Sequence, residues 1–201
     1  MDIASDTATL AFYEANARSY VGNRPDEASP DLMAFLPRLK AGSTILELGC
    51  GSGSDAVAME KLGFRVDATD GVTAMAAIAN KRLAHGARVM RFDELEANNE
   101  FDAVVACASL LHVPESGLPD VLGRIWKALK SGGWHFASFK TGGAPGWDEH
   151  QRYYNYLDHT VAGEIYRSSG PWTELIFDEY DGVGYFSAPS RWLTVVARKG
   201  D

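Results

Sequence analysis

Short apolar runs alternate with amphipathic stretches from Thr44 to the end of the chain. This alternation is typical of βαβ units and a mostly parallel sheet. The pattern predicts seven strands, at 44–48, 64–69, 87–91, 101–107, 133–139, 174–181 and 191–198. It predicts helices between them at about 53–62, 72–84, 117–130 and 158–169, the third of which carries an apolar stripe ending at a Lys-Ser-Gly-Gly sequence.

The last two predicted strands are joined by a Gly-containing connection with no helix between them. Because parallel neighbours need a long crossover, these two strands must form an antiparallel hairpin. The predicted fold is therefore α/β and Rossmann-like, a doubly wound, mostly parallel seven-stranded sheet that finishes in a C-terminal antiparallel hairpin.

The first forty residues predict helices in front of this sheet. Apolar residues recur at near-helical spacing up to Gly22, Pro25 and Pro30 break the pattern, and a second short helix from Pro30 ends at Ala41-Gly42. The chain contains no internal repeat or interdomain linker, so we expect a single domain over 1–201. The glycine-rich segment 142–146 is expected to be a mobile loop within that domain.

Composition narrows the classes of function. The 201 residues are 46% hydrophobic and 23% charged, with a net charge of −8, which fits a globular domain and disfavours broad binding to nucleic acid. The longest apolar run, Ala103 to Ala108, is far shorter than the roughly 18 residues that span a bilayer, and the acidic start lacks the features of a signal peptide. The two cysteines lie in apolar surroundings and predict reduced thiols, so we expect a cytoplasmic protein that makes no membrane contact.

The sequence from Ile45 to Asp55 combines a buried strand, the glycines Gly49, Gly51 and Gly53, and a helix start. Glycines at such a turn let a ligand approach the main chain closely. A dinucleotide fingerprint would place its third glycine where Ser54 stands, and Glu47 would face the pyrophosphate across a short gap. A sulfonium ligand with an ammonium group suits an acidic residue better, which favours an S-adenosylmethionine site.

With these residues the chain resembles the class I S-adenosylmethionine-dependent methyltransferases over roughly residues 10 to 198. The resemblance rests on Glu47 with its three glycines, Asp70 at the end of the second strand, Asp93 after the third, and the sequence from Phe101 to Val113. Within that superfamily it looks most like the small stand-alone bacterial enzymes known as type 11/12 or tellurite-resistance-like methyltransferases. The resemblance implies the class I methyltransferase fold, with 1–42 forming a helical cap over the cofactor cleft.

The resemblance also implies S-adenosyl-L-methionine as cofactor and S-adenosyl-L-homocysteine as product. Asp70 would accept hydrogen bonds from the ribose hydroxyls, although a carboxylate there can also cap the next helix. Asp93 or its neighbour Glu94 would read the adenine. The implied cofactor-binding residues are Tyr20, Glu47, Gly49, Cys50, Gly51, Gly53, Asp70, Gly71, Val72, Met75, Asp93, Glu94, Cys107 and Leu110.

The acceptor side of the predicted site is assembled from aromatic and basic residues. His112 follows the fourth strand at the edge of the sheet where ligands of open α/β folds bind. It is a candidate catalytic residue that acts as a general base or orients the acceptor, or else a structural histidine bonded to backbone. The aromatic residues either line the acceptor pocket or pack as ordinary core. The candidate substrate pocket consists of Tyr13, Arg18, His112, Tyr153 and Tyr154, and no metal site is expected.

The predicted reaction is an in-line displacement that methylates a small molecule. No target-recognition insertion is visible, which disfavours a nucleic acid acceptor, and no obligate protein partner is expected. Two other functions stay open. One is a non-catalytic S-adenosylmethionine-binding module that regulates a partner; the other is an NAD(P)-dependent oxidoreductase, which Ser54 and the terminal hairpin disfavour.

Overall fold

The computed structural model describes residues 4–23, 26–184 and 189–201. The predicted break at Pro25 lies outside these residues. Helix α1 spans Thr7–Gly22 and is capped by Asp6, whose carboxylate accepts a hydrogen bond from the Thr9 amide at 2.8 Å. Helix α2 spans Pro30–Phe35 and continues only as a 3₁₀ turn over Leu36–Arg38, so it is shorter than the pattern predicted.

The predicted sheet is confirmed. Its strands are β1 (Thr44–Leu48), β2 (Arg65–Asp70), β3 (Ala87–Val89), β4 (Phe101–Ala106), β5 (Leu129–Thr141), β8 (Trp172–Val183) and β9 (Pro189–Lys199). They lie in the order β3-β2-β1-β4-β5-β9-β8. β1 to β5 are parallel, whereas β9 is antiparallel to both β5 and β8, as the missing helix between the last two strands predicted.

The remaining helices are α3 (Ser54–Lys61), α4 (Thr73–Ala79), α5 (Leu118–Ala128) and α6 (His159–Ser169). α4 ends five residues before its predicted end at 84. The side chain of Asn80 explains the difference, since its amide bonds both backbone groups of Ala87 at 2.7 and 2.8 Å and turns the chain into β3. The apolar stripe of α5 is confirmed, because Leu118, Val121, Leu122 and Ile125 are all 0% exposed.

A second, two-stranded sheet was not predicted. β6 (Gly146–Trp147) pairs with antiparallel β7 (Tyr153–Tyr154), so the expected mobile segment 142–146 runs directly into ordered structure. Arg152 holds the connection between the two strands, because its Nε and Nη2 atoms both donate to Oδ2 of Asp148, at 2.9 and 2.7 Å.

The sheet has a core on each face. In one core, α5 and α6 pack against the sheet. In the other, α2 and α3 pack against it, and Met59 of α3 is fully buried. α1 lies apart from both and packs on α4 through Ala17 and Met75. The order of the strands reverses between β1 and β4, and their carboxyl ends open the crevice where open α/β sheets bind ligands. In the part of the chain that the structure describes, every helix is too short or too polar to cross a bilayer.

Candidate functional site

A cleft with a volume of about 660 Å³ lies at the carboxyl ends of β1, β2 and β4. α1, the residues leading into α2 and the β8–β9 hairpin form its other walls. Most of the predicted site residues line it, namely Tyr13, Tyr20, Glu47, Gly49, Cys50, Gly51, Asp70, Gly71, Val72, Met75, Cys107, His112 and Tyr154. The sequence therefore located the cleft and most of its floor.

The glycine-rich turn is needed for backbone geometry and close packing. Gly49, Gly51 and Gly53 have φ angles of 79°, 54° and 81°, which favour glycine. A Cβ on Gly49 would lie 2.4 Å from the Cβ of Ser109, because the loops after β1 and β4 touch at that point. The Cβ position of Gly51 is open, so a ligand can approach the main chain there.

Gly53, which is also a predicted cofactor contact, is not among the residues that line the cleft. It is buried and immediately precedes α3, and its Cβ position lies 3.2 Å from the Cβ of Ala79. Its role is therefore to let α3 approach α4 closely.

Asp70 holds the glycine turn in place. Its two carboxylate oxygens accept hydrogen bonds from the amides of Gly51 and Val72, both at 2.9 Å. Burial raises the pKa of this carboxyl from 3.8 to about 6, against the lowering effect of the two amides. α4 is capped at Val72 without a side-chain bond, so Asp70 is not the helix cap that the sequence left open. Each oxygen keeps a further lone pair beside the cleft.

Glu47 is a buried acid in the floor of the cleft. It is 2% exposed, and its Oε2 atom has no hydrogen-bond partner among the described residues. Burial, together with the negative charges of Asp55 and Asp70, raises the pKa of this carboxyl well above its usual value. A cationic or hydrogen-bond-donating ligand group next to Glu47 would satisfy it.

Asp93, Glu94 and Leu110, three of the predicted cofactor contacts, are not among the residues that line the cleft. The two acids turn back onto Arg91: its guanidinium lies 3.3 Å from Asp93, and its amide donates to Glu94 at 2.7 Å. Leu110 is 0% exposed in the core. Their neighbours Arg91, Phe92 and Leu111 line the cleft in their place.

His112 is held between a backbone carbonyl and a phenol. Its Nδ1 atom lies 2.6 Å from the carbonyl oxygen of Tyr153, so Nδ1 carries the proton and donates it. Nε2 then accepts from the hydroxyl of Tyr13, 2.9 Å away. Burial, with the charges of Arg152 and Lys140, lowers the pKa of His112 to about 4, so the ring is neutral and weakly basic.

Two predicted pocket residues lie off the cleft. Arg18 is exposed on α1, and the ring of Tyr153 packs edge-on against Trp147, 5.4 Å between centroids. Tyr153 contacts the site through its backbone, since its carbonyl oxygen lies 2.6 Å from His112 Nδ1 and its amide donates to the Thr9 hydroxyl at 2.8 Å. Both ring nitrogens of His112 are hydrogen-bonded, which matches a structural histidine better than a free general base.

Several cleft residues escaped the sequence reasoning. Tyr180 of β8 donates a hydrogen bond to the carboxylate of Asp31 at the start of α2, which joins the hairpin to the helical segment across the cleft. Lys140 and Asp55 also line the cleft. Asp55 stood within the motif, but nothing local marks Tyr180 or Asp31, which are distant in sequence.

Both thiols are free and line the cleft. Burial, assisted by Glu47, raises the pKa of Cys50, and burial with Asp55 and Glu47 raises that of Cys107. Neither is therefore an activated nucleophile.

Comparison with known structures shows the fold. A Burkholderia thailandensis 1,6-didemethyltoxoflavin-N1-methyltransferase, crystallised with 1,6-didemethyltoxoflavin and S-adenosylhomocysteine, matches with a TM-score of 0.75 and 22% identity over 96% of this chain and 86% of that one. Haemonchus contortus phosphoethanolamine N-methyltransferase 2, in complex with S-adenosyl-L-methionine, matches with a TM-score of 0.73 and 18% identity over 94% of this chain and 57% of that one. A possible exported protein from Bordetella parapertussis matches with a TM-score of 0.65 and 20% identity over 84% of this chain and 65% of that one. The chain thus spans less than two thirds of the last two proteins.

Comparison of sequences shows the family. No curated protein sequence matches the chain. A family model described as a methyltransferase domain matches residues 20–168, which is well over half of the chain and contains the glycine turn, Asp70 and His112. The chain therefore belongs to the methyltransferase domain family, and its fold is the class I fold of the S-adenosylmethionine-dependent methyltransferases that its sequence resembles.

Proposed function

We propose that this protein transfers a methyl group from S-adenosyl-L-methionine to a small-molecule acceptor, leaving S-adenosyl-L-homocysteine. The observation that carries the proposal is the buried carboxyl of Glu47 beside Asp70 in the cleft, one oxygen of which has no hydrogen-bond partner among the residues that the structure describes. A pyrophosphate would face both acids there, whereas a cofactor with ammonium and sulfonium charges would be stabilised by them. This argues for the methyl donor over a dinucleotide.

The cleft offers suitable partners for each part of the cofactor. The free lone pairs of Asp70 suit the two ribose hydroxyls, and Glu47 suits the cationic amino acid portion. Val72, Met75 and Phe92 provide apolar surface for the adenine in the place predicted for Asp93. The open side of Gly51 allows close approach to the backbone.

Bound S-adenosylmethionine would supply a methyl group already activated on a sulfonium, so the chain must mainly align the acceptor and exclude water. α1 and the segment before α2 wall the cleft, which supports the proposed role of 1–42 as a cap. His112 has too low a pKa to take a proton efficiently at neutral pH. We expect it to act as a positioning residue that fixes the Tyr13 hydroxyl toward the acceptor.

We propose that the acceptor is a small molecule and that the protein acts in the cytoplasm. The net charge of −8 disfavours nucleic acid, and the acceptor shares a cleft of about 660 Å³ with the cofactor. The two free thiols fit a reducing compartment.

Calorimetry tests the cofactor directly. Micromolar binding of S-adenosylhomocysteine without measurable binding of NAD or NADP is the expected result. Asp70→Ala should weaken that binding at least tenfold, whereas the matched variant Asp178→Ala, at an exposed carboxylate on β8, should leave it unchanged. Tight NAD or NADP binding by the wild-type protein would overturn the proposal.

A further inference from the structure

The charges around the cleft are unevenly distributed. Asp31, Glu47, Asp55 and Asp70 lie among its lining residues, near the glycine turn and α2. Lys140 enters the cleft from β5, and the charged groups that act on it are Arg152 and Asp148 rather than these acids. A ligand that fills the cleft therefore meets carboxyl groups in one part and an ammonium group in another.

Lys140 differs from the other cations beside the cavities. Arg91 pairs with Asp93 at 3.3 Å, and Arg191 pairs with Glu179 at 3.0 Å. Within the described residues, Lys140 has no carboxylate partner within ion-pair distance; its Nζ atom lies 4.4 Å from the centre of the Tyr154 ring. Burial of the ammonium group and the positive charge of Arg152 lower its pKa, and the negative charge of Asp148 offsets this only in part.

A second cavity, also of about 660 Å³, is lined in part by Lys140. It shares Lys140 and Tyr154 with the cleft, and its further lining includes Trp147 and Tyr156. In the cleft, Trp192 stands directly opposite Lys140 in the β5–β9 register. Lys140 thus borders both cavities, and its ammonium group lies over an aromatic ring that borders them too.

We propose that Lys140 binds an acidic oxygen group of the methyl acceptor, and that this acceptor is a small aromatic acid. The inference rests on the proposed methyltransferase function and names its substrate class. An anion restores the electrostatic stabilisation that the half-buried ammonium lacks, and aromatic side chains offer flat apolar surfaces to a planar ring. Lys140 is then a specificity-determining residue, distinct from the acids proposed to hold the cofactor.

Binding of matched acid and amide pairs tests this assignment. The probes are 4-hydroxybenzoate with 4-hydroxybenzamide, and 1-naphthoate with 1-naphthamide, titrated into protein saturated with S-adenosylhomocysteine. We expect the wild-type protein to bind each acid at least tenfold more tightly than its amide. Lys140→Met should reduce the preference to less than twofold, and Lys140→Arg should retain part of it.

Two controls keep this test separate from the proposed function. Lys127→Met removes an exposed lysine on α5 and should preserve the preference, while Lys140→Met should bind S-adenosylhomocysteine as the wild type does. Failure of the wild type to bind S-adenosylhomocysteine would refute the methyltransferase proposal itself. Three other outcomes would overturn the assignment of Lys140. In the first, the wild type binds S-adenosylhomocysteine normally but shows no preference for the acids. In the others, the preference survives in Lys140→Met or is lost in Arg191→Met instead.

Discussion

Replacing Asp70 by Asn should make the ligand-free protein gain stability relative to wild type as the pH rises. The pKa of Asp70 is raised from 3.8 to about 6 in the folded protein, so the folded state holds its proton over a pH range in which the unfolded state has released it. For a carboxyl this difference costs stability above pH 3.8, and the cost is complete once the pH exceeds about 6. Fully developed, it corresponds to about 3 kcal/mol.

Urea unfolding of ligand-free protein at pH 5 and pH 7.5 measures the effect. About 1 kcal/mol of the cost develops between these two values, so the free energy of unfolding of Asp70→Asn should gain that amount on wild type. The amide loses one acceptor for the Gly51 and Val72 amides, but this penalty is the same at both pH values and cancels in the comparison. Binding of S-adenosylhomocysteine should weaken at least tenfold, because a ribose acceptor is lost.

Asp178→Asn, at an exposed carboxyl, serves as the control, and its free energy of unfolding should change with pH as that of wild type does. If the free energy of unfolding of Asp70→Asn also followed that of wild type, the raised pKa of Asp70 would be refuted. Unchanged binding of S-adenosylhomocysteine by the same variant would refute the ribose contact. The two readouts therefore separate the electrostatic argument from the functional one.

Three further substitutions test the site and its support. Gly49→Ala should destabilise the protein by about 2 kcal/mol or more in urea unfolding, because its Cβ would lie 2.4 Å from that of Ser109 at a φ of 79°; a loss below 0.5 kcal/mol would contradict the close approach. Glu47→Gln should weaken S-adenosylhomocysteine binding about tenfold in calorimetry at pH 7.5, where the cationic ligand favours the ionised acid, and equal affinity would remove Glu47 from the site. Tyr166→Phe should cost about 1–3 kcal/mol, since His135 Nε2, buried and 3.0 Å from that hydroxyl, would lose its donor. Burial lowers the pKa of His135 to about 4, so in both proteins its contribution to stability should fall as the pH drops from about 6.5 toward 4, which acid titration of the unfolding transition would detect.

Sequence periodicity was sufficient for the sheet and for the floor of the cleft. Strand and helix patterns report burial, and the right-handed connection of parallel strands leaves few ways to arrange them. The three glycines and Asp70 follow directly from strand ends, so their neighbourhood is set by local spacing. The error in the extent of α4 arose because the side chain of Asn80 competes with the helix for backbone partners, which apolar spacing does not report.

The sequence alone thus determined the fold class, the hairpin and the residues at the carboxyl ends of the first two strands. Tertiary structure decided which side chains enter the cleft from elsewhere. It placed Arg91 and Phe92 there instead of Asp93, joined Tyr180 to Asp31 across 149 residues, and made Lys140 part of the lining of two cavities. The physical reason is that periodicity reports only whether a position is buried, whereas a side chain's partner depends on how distant segments pack and on which rotamer that packing permits.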